Sequence, residues 1–193
     1  IFDLGYSLNQ ILDLKKGLSF KSTGKLDMRL GLNQFSCDDV ISNISEKSLN
    51  KIFKIFGEEK NSKLIARRIV QNRNKNKLKT EDLVNIVAEI KKYKFSRTNP
   101  STKIFQALRI YINKEISELI NGLIYSFNIL PVGGMIVVVT FHSIEDKIVK
   151  FFFTNFSLNK SKTSRYIPEN NNENILFQSY KNKIIKPDSQ EID

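Results

Sequence analysis

The spacing of apolar residues predicts helices through the middle of the chain, over residues 36–92. Side chains that recur every three or four positions lie on one face of a helix, and this spacing is clearest after Ser45. The apolar positions of that segment are Leu49, Ile52, Phe53 and Phe56. Ser36, Ser45 and Thr80 each precede such a segment, where a side-chain oxygen can cap a helix, and Gly57 is a suitable helix end. We therefore predict a group of short helices, each with one apolar face.

A longer stretch with the same spacing, residues 102–128, predicts one long helix. Pro100 lies just before it and disfavours a helical conformation at Asn99, so the helix should begin after the proline. The side chains predicted to be buried are Ile104, Phe105, Leu108, Ile112, Ile116, Leu119, Ile120, Leu123 and Ile124.

Two other apolar runs predict β-strands. The run MIVVVTF, residues 135–141, is rich in β-branched residues and predicts a strand that is buried on both faces of a sheet. A shorter run, Ile1 and Phe2, leads directly into Asp3. Helices that alternate with buried strands indicate an α/β fold, in which ligands bind at the carboxyl ends of the strands. The segments DLGYS and FHSIED, which follow the two runs, are therefore expected to border one crevice.

The segment KKGLSFKSTGKLDMRLGLN, residues 15–33, predicts a long loop. Long irregular loops within a domain are usually either functional or disordered. Leu18, Phe20, Leu26 and Met28 make this one too apolar for disorder. We therefore predict an ordered active-site loop.

The charge balance favours a polyanionic partner. Thirty-one Lys and Arg residues against 20 Asp and Glu residues give a net charge of +11, which suits a nucleic acid. An AT-rich genome is the alternative source of excess lysine, since Asn and Ile are also abundant. Residues 60–79 concentrate the basic side chains, with Arg67 and Arg68 at their centre.

Cysteine and histidine content excludes several kinds of site. The single Cys37 rules out an intramolecular disulfide and a cysteine-rich zinc site, and the single His142 leaves almost no ligands for a metal centre, so we expect no metal. No run of 18 apolar residues is present, so we expect no membrane span and a cytoplasmic location.

Candidate chemical groups fall in the segments that follow the two strands. Asp3 is followed by Gly5, so backbone and carboxylate could approach a ligand together, with Gln10 as a further polar contact. The alternative is an ordinary turn after a strand. His142 is the other candidate, although a lone histidine at a strand end is more often structural, and Ser143 is most simply a helix cap.

The start of the predicted long helix carries polar residues at helical offsets, namely Lys103, Gln106, Arg109 and Asn113. Two of these, Lys103 and Arg109, could hold phosphates, while the two amides could read a base edge. A solvated polar face is the simpler interpretation.

Several segments together resemble one protein family. They are FDLGYSLNQ, GLSFKSTGKLDMRL, GEEKNSKLIARRIV, STKIFQALRIYIN and LPVGGMIVVVTFHSIEDKIVKFFF. They resemble the S-adenosylmethionine-dependent methyltransferases that modify the N4 amine of a cytidine in 16S ribosomal RNA, the RsmH or MraW family. The segments occur in the family's order and spacing and cover most of residues 1–153.

This resemblance implies a Rossmann-like α/β methyltransferase sheet with an inserted all-helical subdomain. Residues 1–34 would contribute the fourth strand and the active-site loop, residues 35–97 the inserted RNA-binding helices, and residues 98–193 the rest of the core with a polar tail. The family's first strands and its basic carboxyl end have no counterpart here. The resemblance therefore implies a fragment that lacks both ends and is inactive by itself.

The resemblance also implies site residues. Asp3 and Gln10 match the family's contacts with the cofactor S-adenosylmethionine. Catalytic candidates are Asp3, Ser7, His142 and Ser143, and RNA-binding candidates are Arg29, Arg67, Arg68, Lys103 and Arg109. Lys103 stands where the family usually has arginine, which removes the guanidinium fork that grips a phosphate with two hydrogen bonds.

The function implied is methylation of 16S rRNA or of the small ribosomal subunit, without a membrane partner. A homodimer remains an alternative to a monomer. Two other functions stay open, namely nucleic-acid binding without catalysis and methylation of a different substrate by the same fold.

Overall fold

The described part of the chain is mostly helical, with one small parallel sheet. In a computed structural model, the described residues are 1–22, 24–31, 33–74, 77–91 and 99–156. The strands are β1 (Phe2–Asp3) and β2 (Val138–Val139). The helices are α1 (Leu8–Leu12), α2 (Cys37–Asn43), α3 (Glu46–Phe56), α4 (Ser62–Arg73), α5 (Thr80–Lys91), α6 (Thr102–Ile112), α7 (Glu115–Ile129) and α8 (Ser143–Phe156), with a 3₁₀ turn at Leu14–Lys16.

Local capping starts the helices where the sequence predicts. The Ser36 hydroxyl accepts a hydrogen bond from the Asp39 N–H, and the Asp39 carboxylate accepts one from the Ser36 N–H, which makes a capping box at α2. The Ser45 hydroxyl accepts from the Ser48 N–H at the start of α3, and Gly57 ends that helix. These predictions are confirmed. Each could be made from the sequence because a cap depends only on residues a few positions away.

Thr80 has a different role from the predicted one. It is the first residue of α5 rather than its cap, and it is completely buried. Its hydroxyl donates to the Gly24 carbonyl at 3.0 Å, and Asp82 accepts the Lys79 N–H in its place. The threonine therefore ties α5 to the loop before α2.

Helices α2 to α6 share one hydrophobic core with the loop of residues 15–33. The core includes Leu26, Met28, Leu49, Phe53, Ile65, Ile69, Leu83, Ile104 and Leu108. The apolar loop residues are thus packed against the helices, as an ordered loop requires. Because α6 belongs to this same core, the division into core and inserted subdomain stays a prediction.

The predicted long helix is in fact two helices, which is a correction. α6 ends at Ile112 and α7 begins at Glu115, with Lys114 between them in the left-handed region at φ 51°. The Asn113 side chain bonds to residues of the loop, so the chain turns where apolar spacing alone would continue the helix. Ile120 and Ile124, predicted as buried, are exposed on α7.

The strand at residues 135–141 is also shorter than predicted. Only Val138 and Val139 are in β-conformation, and Met135, Val137, Val139 and Phe141 are exposed. β1 pairs with β2 in parallel, with Phe2 opposite Val138 and Asp3 opposite Val139. Within the described residues the sheet has these two strands only, so β1 is the one strand neighbour of β2 there. This small parallel sheet is consistent with part of a Rossmann-like fold.

The chain divides into two compact units, residues 1–139 and 140–193. The described part of the second unit consists of α8 and the residues just before it. The polar tail predicted over residues 157–183 lies outside the described residues, and so do residues 92–98 of the basic linker that the sequence KKYKFSRTNP predicts over residues 91–100. Among the helices described, none has both the length and the apolarity needed to cross a membrane.

A glycine on α7 allows β1 to approach the helix closely. A Cβ atom at Gly122 would lie 2.8 Å from Cε1 of the Phe2 ring, closer than packed atoms tolerate. We expect Gly122→Ala to displace Phe2 and weaken the pairing of β1 with β2, although alanine itself favours the helix. The Leu4 N–H, which donates to the Val139 carbonyl, should then exchange with solvent roughly tenfold faster.

Gly31→Ala is the matched control, because a Cβ atom there meets nothing within 4 Å. Amide hydrogen exchange followed by mass spectrometry compares the two variants. An unchanged Leu4 exchange rate in Gly122→Ala would show that the Phe2 ring moves aside without weakening the strand pairing.

Candidate functional site

The DLGYS segment begins at the carboxyl end of β1. Asp3 is the last strand residue and is exposed, and the next amide, Leu4 N–H, donates to the Val139 carbonyl at 3.3 Å. Gly5 then turns the chain with φ 97°, a conformation that residues with a Cβ rarely adopt. The Asp3 carboxylate is thus held at the point where parallel strands usually present ligand-binding groups.

Ser7 and Gln10 form a capping box at the start of α1. The Ser7 hydroxyl accepts from the Gln10 N–H at 3.3 Å, and the Gln10 Oε1 accepts from the Ser7 N–H at 2.9 Å. The predicted cofactor contact, Gln10, therefore has its oxygen committed within the turn. Its Nε2 donor is the part of the side chain that remains for a ligand. The hydroxyl of Ser7, a catalytic candidate, is likewise used here, as the acceptor for the Gln10 N–H.

Arg109 lies beneath the DLGYS segment instead of facing solvent. Only 8% of the residue is exposed, and its guanidinium donates to both oxygens of Glu115, at 2.8 and 2.9 Å. The same guanidinium lies 4.4 Å from the centroid of the Tyr6 ring. This burial argues against the phosphate contact predicted for Arg109, because its donors already face a carboxylate.

The amide of Asn113 joins the loop to the end of α6. Its Oδ1 accepts from the Leu30 N–H and from Asn33 Nδ2, both at 2.8 Å. Its Nδ2 donates to the carbonyls of Met28 and Arg109, both at 2.9 Å. All four hydrogen-bonding positions of the amide are therefore used, three of them on the loop. Neither a solvated polar face nor base reading describes this residue.

Arg29 and Asp27 form an ion pair inside the loop. Arg29 Nε and Asp27 Oδ1 are 2.5 Å apart, and a second hydrogen bond joins Arg29 to Asp27 Oδ2 at 3.0 Å. The hydrogen bond from Arg29 lowers the pKa of the Asp27 carboxyl against the opposing effect of burial. Arg29, predicted to contact RNA, also donates to the Asn33 carbonyl, so it braces the loop.

Backbone hydrogen bonds fix the rest of this loop. The Met28 N–H donates to Lys16, while Asp27 and Leu26 accept from the first two amides of α2. Met28 itself is buried with φ 60°. Residues 24–31 are thus held from both sides by the chain.

The basic segment at residues 60–79 separates into outward and inward side chains. Lys63, Arg67 and Arg68 are exposed on α4, and Lys60 is exposed just before the helix begins. Arg73 turns inward instead, and one of its nitrogens donates to the carbonyls of Ile41 and Ile44 at the end of α2, each at 2.6 Å.

Lys77 also has a partner within the protein. It forms an ion pair with Asp38 in the first turn of α2. Arg68 lines a cavity of about 300 Å³ between α4 and α5, whose wall includes Asp82 and Glu89. The exposed cationic surface on α4 is carried by Lys63, Arg67 and Arg68, with Lys60 exposed just before the helix.

Lys103 and Gln106 contact the end of α3. Lys103 is exposed, and its Nζ donates to the Glu58 carbonyl at 3.2 Å. Gln106 Nε2 lies 3.5 Å from the Phe56 carbonyl. The start of α6 therefore meets neighbouring carbonyls of the protein, which neither of the sequence interpretations anticipated.

In the second unit, His142 pairs with Glu145. The His142 Nε2 lies 3.1 Å from Glu145 Oε1, and its Nδ1 accepts from the Glu145 N–H at 3.4 Å. Burial opposes ionisation of Glu145, but hydrogen bonds from His142 and from the Phe141 N–H outweigh it and lower the pKa of the Glu145 carboxyl. The imidazole is thus held at the start of α8, next to the exposed Ser143.

Comparison with known proteins identifies the family. The MraW methylase family profile matches residues 1–193. The chain therefore belongs to the MraW methylase family. Its relatives include the ribosomal RNA small subunit methyltransferase H of Parvibaculum lavamentivorans, 37% identical over 195 residues, which cover all of this chain and 58% of the relative.

The corresponding protein of Bartonella bacilliformis is 43% identical over 171 residues, which cover 88% of this chain and 51% of the relative. That of Afipia carboxidovorans is 39% identical over 193 residues, covering all of this chain and 58% of the relative. The chain thus spans about half the length of these MraW-family relatives. The resemblance stated from the five segments is confirmed.

Sequence reasoning missed Glu115 and Glu145 as partners of site residues. Glu145 lies three residues after His142, a spacing that places two side chains together on a helix, so a signal existed. Glu115 follows Arg109 by six residues, a spacing that brings them together only because the helix breaks between them.

Loss of the Asn113 amide should loosen the loop. Asn113→Ala leaves the Met28 carbonyl and the Leu30 N–H without their partner, and unpaired groups of this kind cost about 1–3 kcal/mol each. We expect faster tryptic cleavage after Lys25 or Arg29 and at least tenfold faster exchange of the Leu30 amide. Asn121→Ala, on the exposed side of α7, is the control. Equal protection in both variants would refute this role.

Proposed function

We propose that the protein containing this chain transfers a methyl group from S-adenosylmethionine to the N4 amine of a cytidine in 16S rRNA. Membership of the MraW methylase family supports this most directly, together with relatives at 37–43% identity named as small-subunit rRNA methyltransferases. The substrate is naked rRNA or the small ribosomal subunit, which implies a cytoplasmic location.

The residues after β1 fit the proposed cofactor. Asp3 offers an exposed carboxylate at a strand end, and Gly5 keeps the adjacent backbone free of a Cβ. Gln10 adds an Nε2 donor from a side chain whose oxygen the Ser7 N–H fixes. When bound, the cofactor would supply an electrophilic methyl group on a sulfonium.

The chain's own residues would orient the target amine and accept its proton. The N4 amine of cytosine is conjugated with its ring and is a weak nucleophile, so alignment is the main contribution expected from the protein. A carboxylate, an imidazole or a backbone carbonyl could take the proton. Asp3, Ser7, His142 and Ser143 remain the candidates; the Ser7 hydroxyl accepts from the Gln10 N–H, and His142 pairs with Glu145.

The exposed surface on α4 is the proposed site for the RNA backbone. Lys63, Arg67 and Arg68 are exposed on α4 and Lys60 is exposed just before it, and phosphate contacts of this kind supply affinity without reading sequence. Arg29 and Lys103 stay weaker candidates, because each already bonds within the protein.

Charge reversal on α4 should separate RNA binding from cofactor binding. We expect Arg67→Glu with Arg68→Glu, in the complete gene product, to weaken RNA binding at least tenfold and to reduce its salt dependence. Cofactor affinity should stay within twofold. Filter binding at several salt concentrations measures the first, and calorimetry the second.

Lys51→Glu with Lys54→Glu makes the same charge change on exposed positions of α3 and is the control. If the control pair weakens RNA binding as much, net charge is responsible and α4 has no special part. Equal loss of cofactor binding and RNA binding in the α4 double variant would contradict the proposal that α4 binds RNA while other residues bind the cofactor.

Mass spectrometry of 16S rRNA from a deletion strain tests the reaction itself. We expect one methyl group to be missing from one cytidine, and restored by the wild-type gene but not by an Asp3→Ala variant. Fully methylated rRNA in the deletion strain would exclude this substrate. RNA binding without binding of radiolabelled S-adenosylmethionine by the complete gene product would instead support the non-catalytic alternative.

A further inference from the structure

Tyr6 projects from a backbone that is fixed on both sides. The strand pairing of β1 ends two residues before it, at Leu4, and the capping box of α1 begins directly after it, at Ser7. Gly5, with its positive φ, sets the direction of the turn between them. The side chain therefore leaves the DLGYS segment in a defined direction, close to the proposed cofactor residue Asp3.

The guanidinium of Arg109 supports one face of the Tyr6 ring. It lies 4.4 Å from the ring centroid, within the range of a cation–π contact. The Glu115 carboxylate accepts two hydrogen bonds from the guanidinium. These two bonds fix the orientation of the guanidinium plane, and the carboxylate balances its charge. Arg109 is 8% exposed and cannot turn toward an RNA phosphate without leaving Glu115.

Despite this support, Tyr6 remains 38% exposed. A planar ring backed by a buried cation and still open to solvent suits stacking with a second planar group. A base that is methylated at an exocyclic amine must leave its stack, and such bases are commonly received by aromatic side chains. Stacking of a base on an aromatic ring contributes about 1–3 kcal/mol.

We propose that the target base, once unstacked, stacks on the ring of Tyr6 as its platform. Arg109, held by Glu115, is then the residue that positions the Tyr6 ring. This inference rests on the proposed function and adds the contact that receives the base. It also gives the buried arginine a role in the site without contact to RNA.

Fluorescence of a base analogue tests the platform separately from catalysis. A small-subunit rRNA fragment carries a fluorescent pyrimidine at the target position, and the complete gene product is added with S-adenosylhomocysteine. Stacking on Tyr6 should quench the fluorescence in the wild type and in Tyr6→Phe. Tyr6→Ala should lose the quenching, and Tyr125→Ala, which alters a ring 67% exposed on α7, should keep it.

Methyl transfer should follow the same order. We expect Tyr6→Ala to lower kcat/KM for RNA by roughly 5- to 150-fold, the range that corresponds to the loss of one stacked base. Tyr6→Phe should stay within threefold of the wild type, and cofactor affinity within twofold for both variants. A Tyr6→Phe loss as large as that of Tyr6→Ala would assign the role to the hydroxyl and overturn the proposal.

Arg109→Lys tests positioning, because lysine keeps the charge but lacks the fork that Glu115 grips. It should reduce both the quenching and kcat/KM, and the double variant with Tyr6→Ala should be no worse than Tyr6→Ala alone. Additive losses would show a general structural role for Arg109 and overturn its part in the proposal.

Failure of the two proposals can be told apart. If the wild type methylates no small-subunit rRNA, the proposed function falls, while the quenching still decides whether Tyr6 receives a base. If the wild type methylates the RNA and the quenching is absent or survives Tyr6→Ala, the platform is refuted and the proposed function stands.

Discussion

The four hydrogen bonds of the Asn113 amide are the constraint on which the candidate site depends. Three of them join the amide to loop residues 80 to 85 positions away in sequence, and they satisfy the backbone of a loop whose buried Met28 has a positive φ. A loop of this length would otherwise have to order itself at a large cost in conformational entropy. The amide also occupies the point where α6 ends, so one side chain stops a helix and anchors the loop that crosses it.

The last turn of α6 contacts both the DLGYS segment and the loop through polar side chains. Arg109 and Asn113 are four residues apart and so lie on the same face of the helix. The first supports Tyr6 of the DLGYS segment, and the second holds the DMRLG part of the loop. Both side chains are polar, yet both point into the protein. Polar residues at helical spacing can therefore mark a buried scaffold as well as a solvated or ligand-binding face.

What could be predicted from sequence follows the range of the interactions involved. Ser36 and Ser45 were predictable as caps because a cap needs only the next three residues. The break at Asn113 was not, since its cause is a loop far away in sequence. β2 was overpredicted because an apolar run becomes a strand only where neighbouring strands complete its hydrogen bonds. Among the site residues, Asp3 could be placed at a strand end from the motif, whereas the Arg109–Glu115 pair needed the broken helix.

The basic side chains, too, divide into ones that are turned inward and support the fold and ones that are exposed. Arg73, Arg109 and Lys91 are all turned inward, and Lys91 pairs with Glu59 while donating to the Pro100 carbonyl. Each of these cations satisfies carbonyls or a carboxylate within the protein, so its donors are not available to an RNA phosphate. The net charge of +11 thus combines structural and exposed cations. A phosphate backbone can meet only the exposed ones, so affinity for RNA should depend on where the arginines and lysines face more than on how many there are.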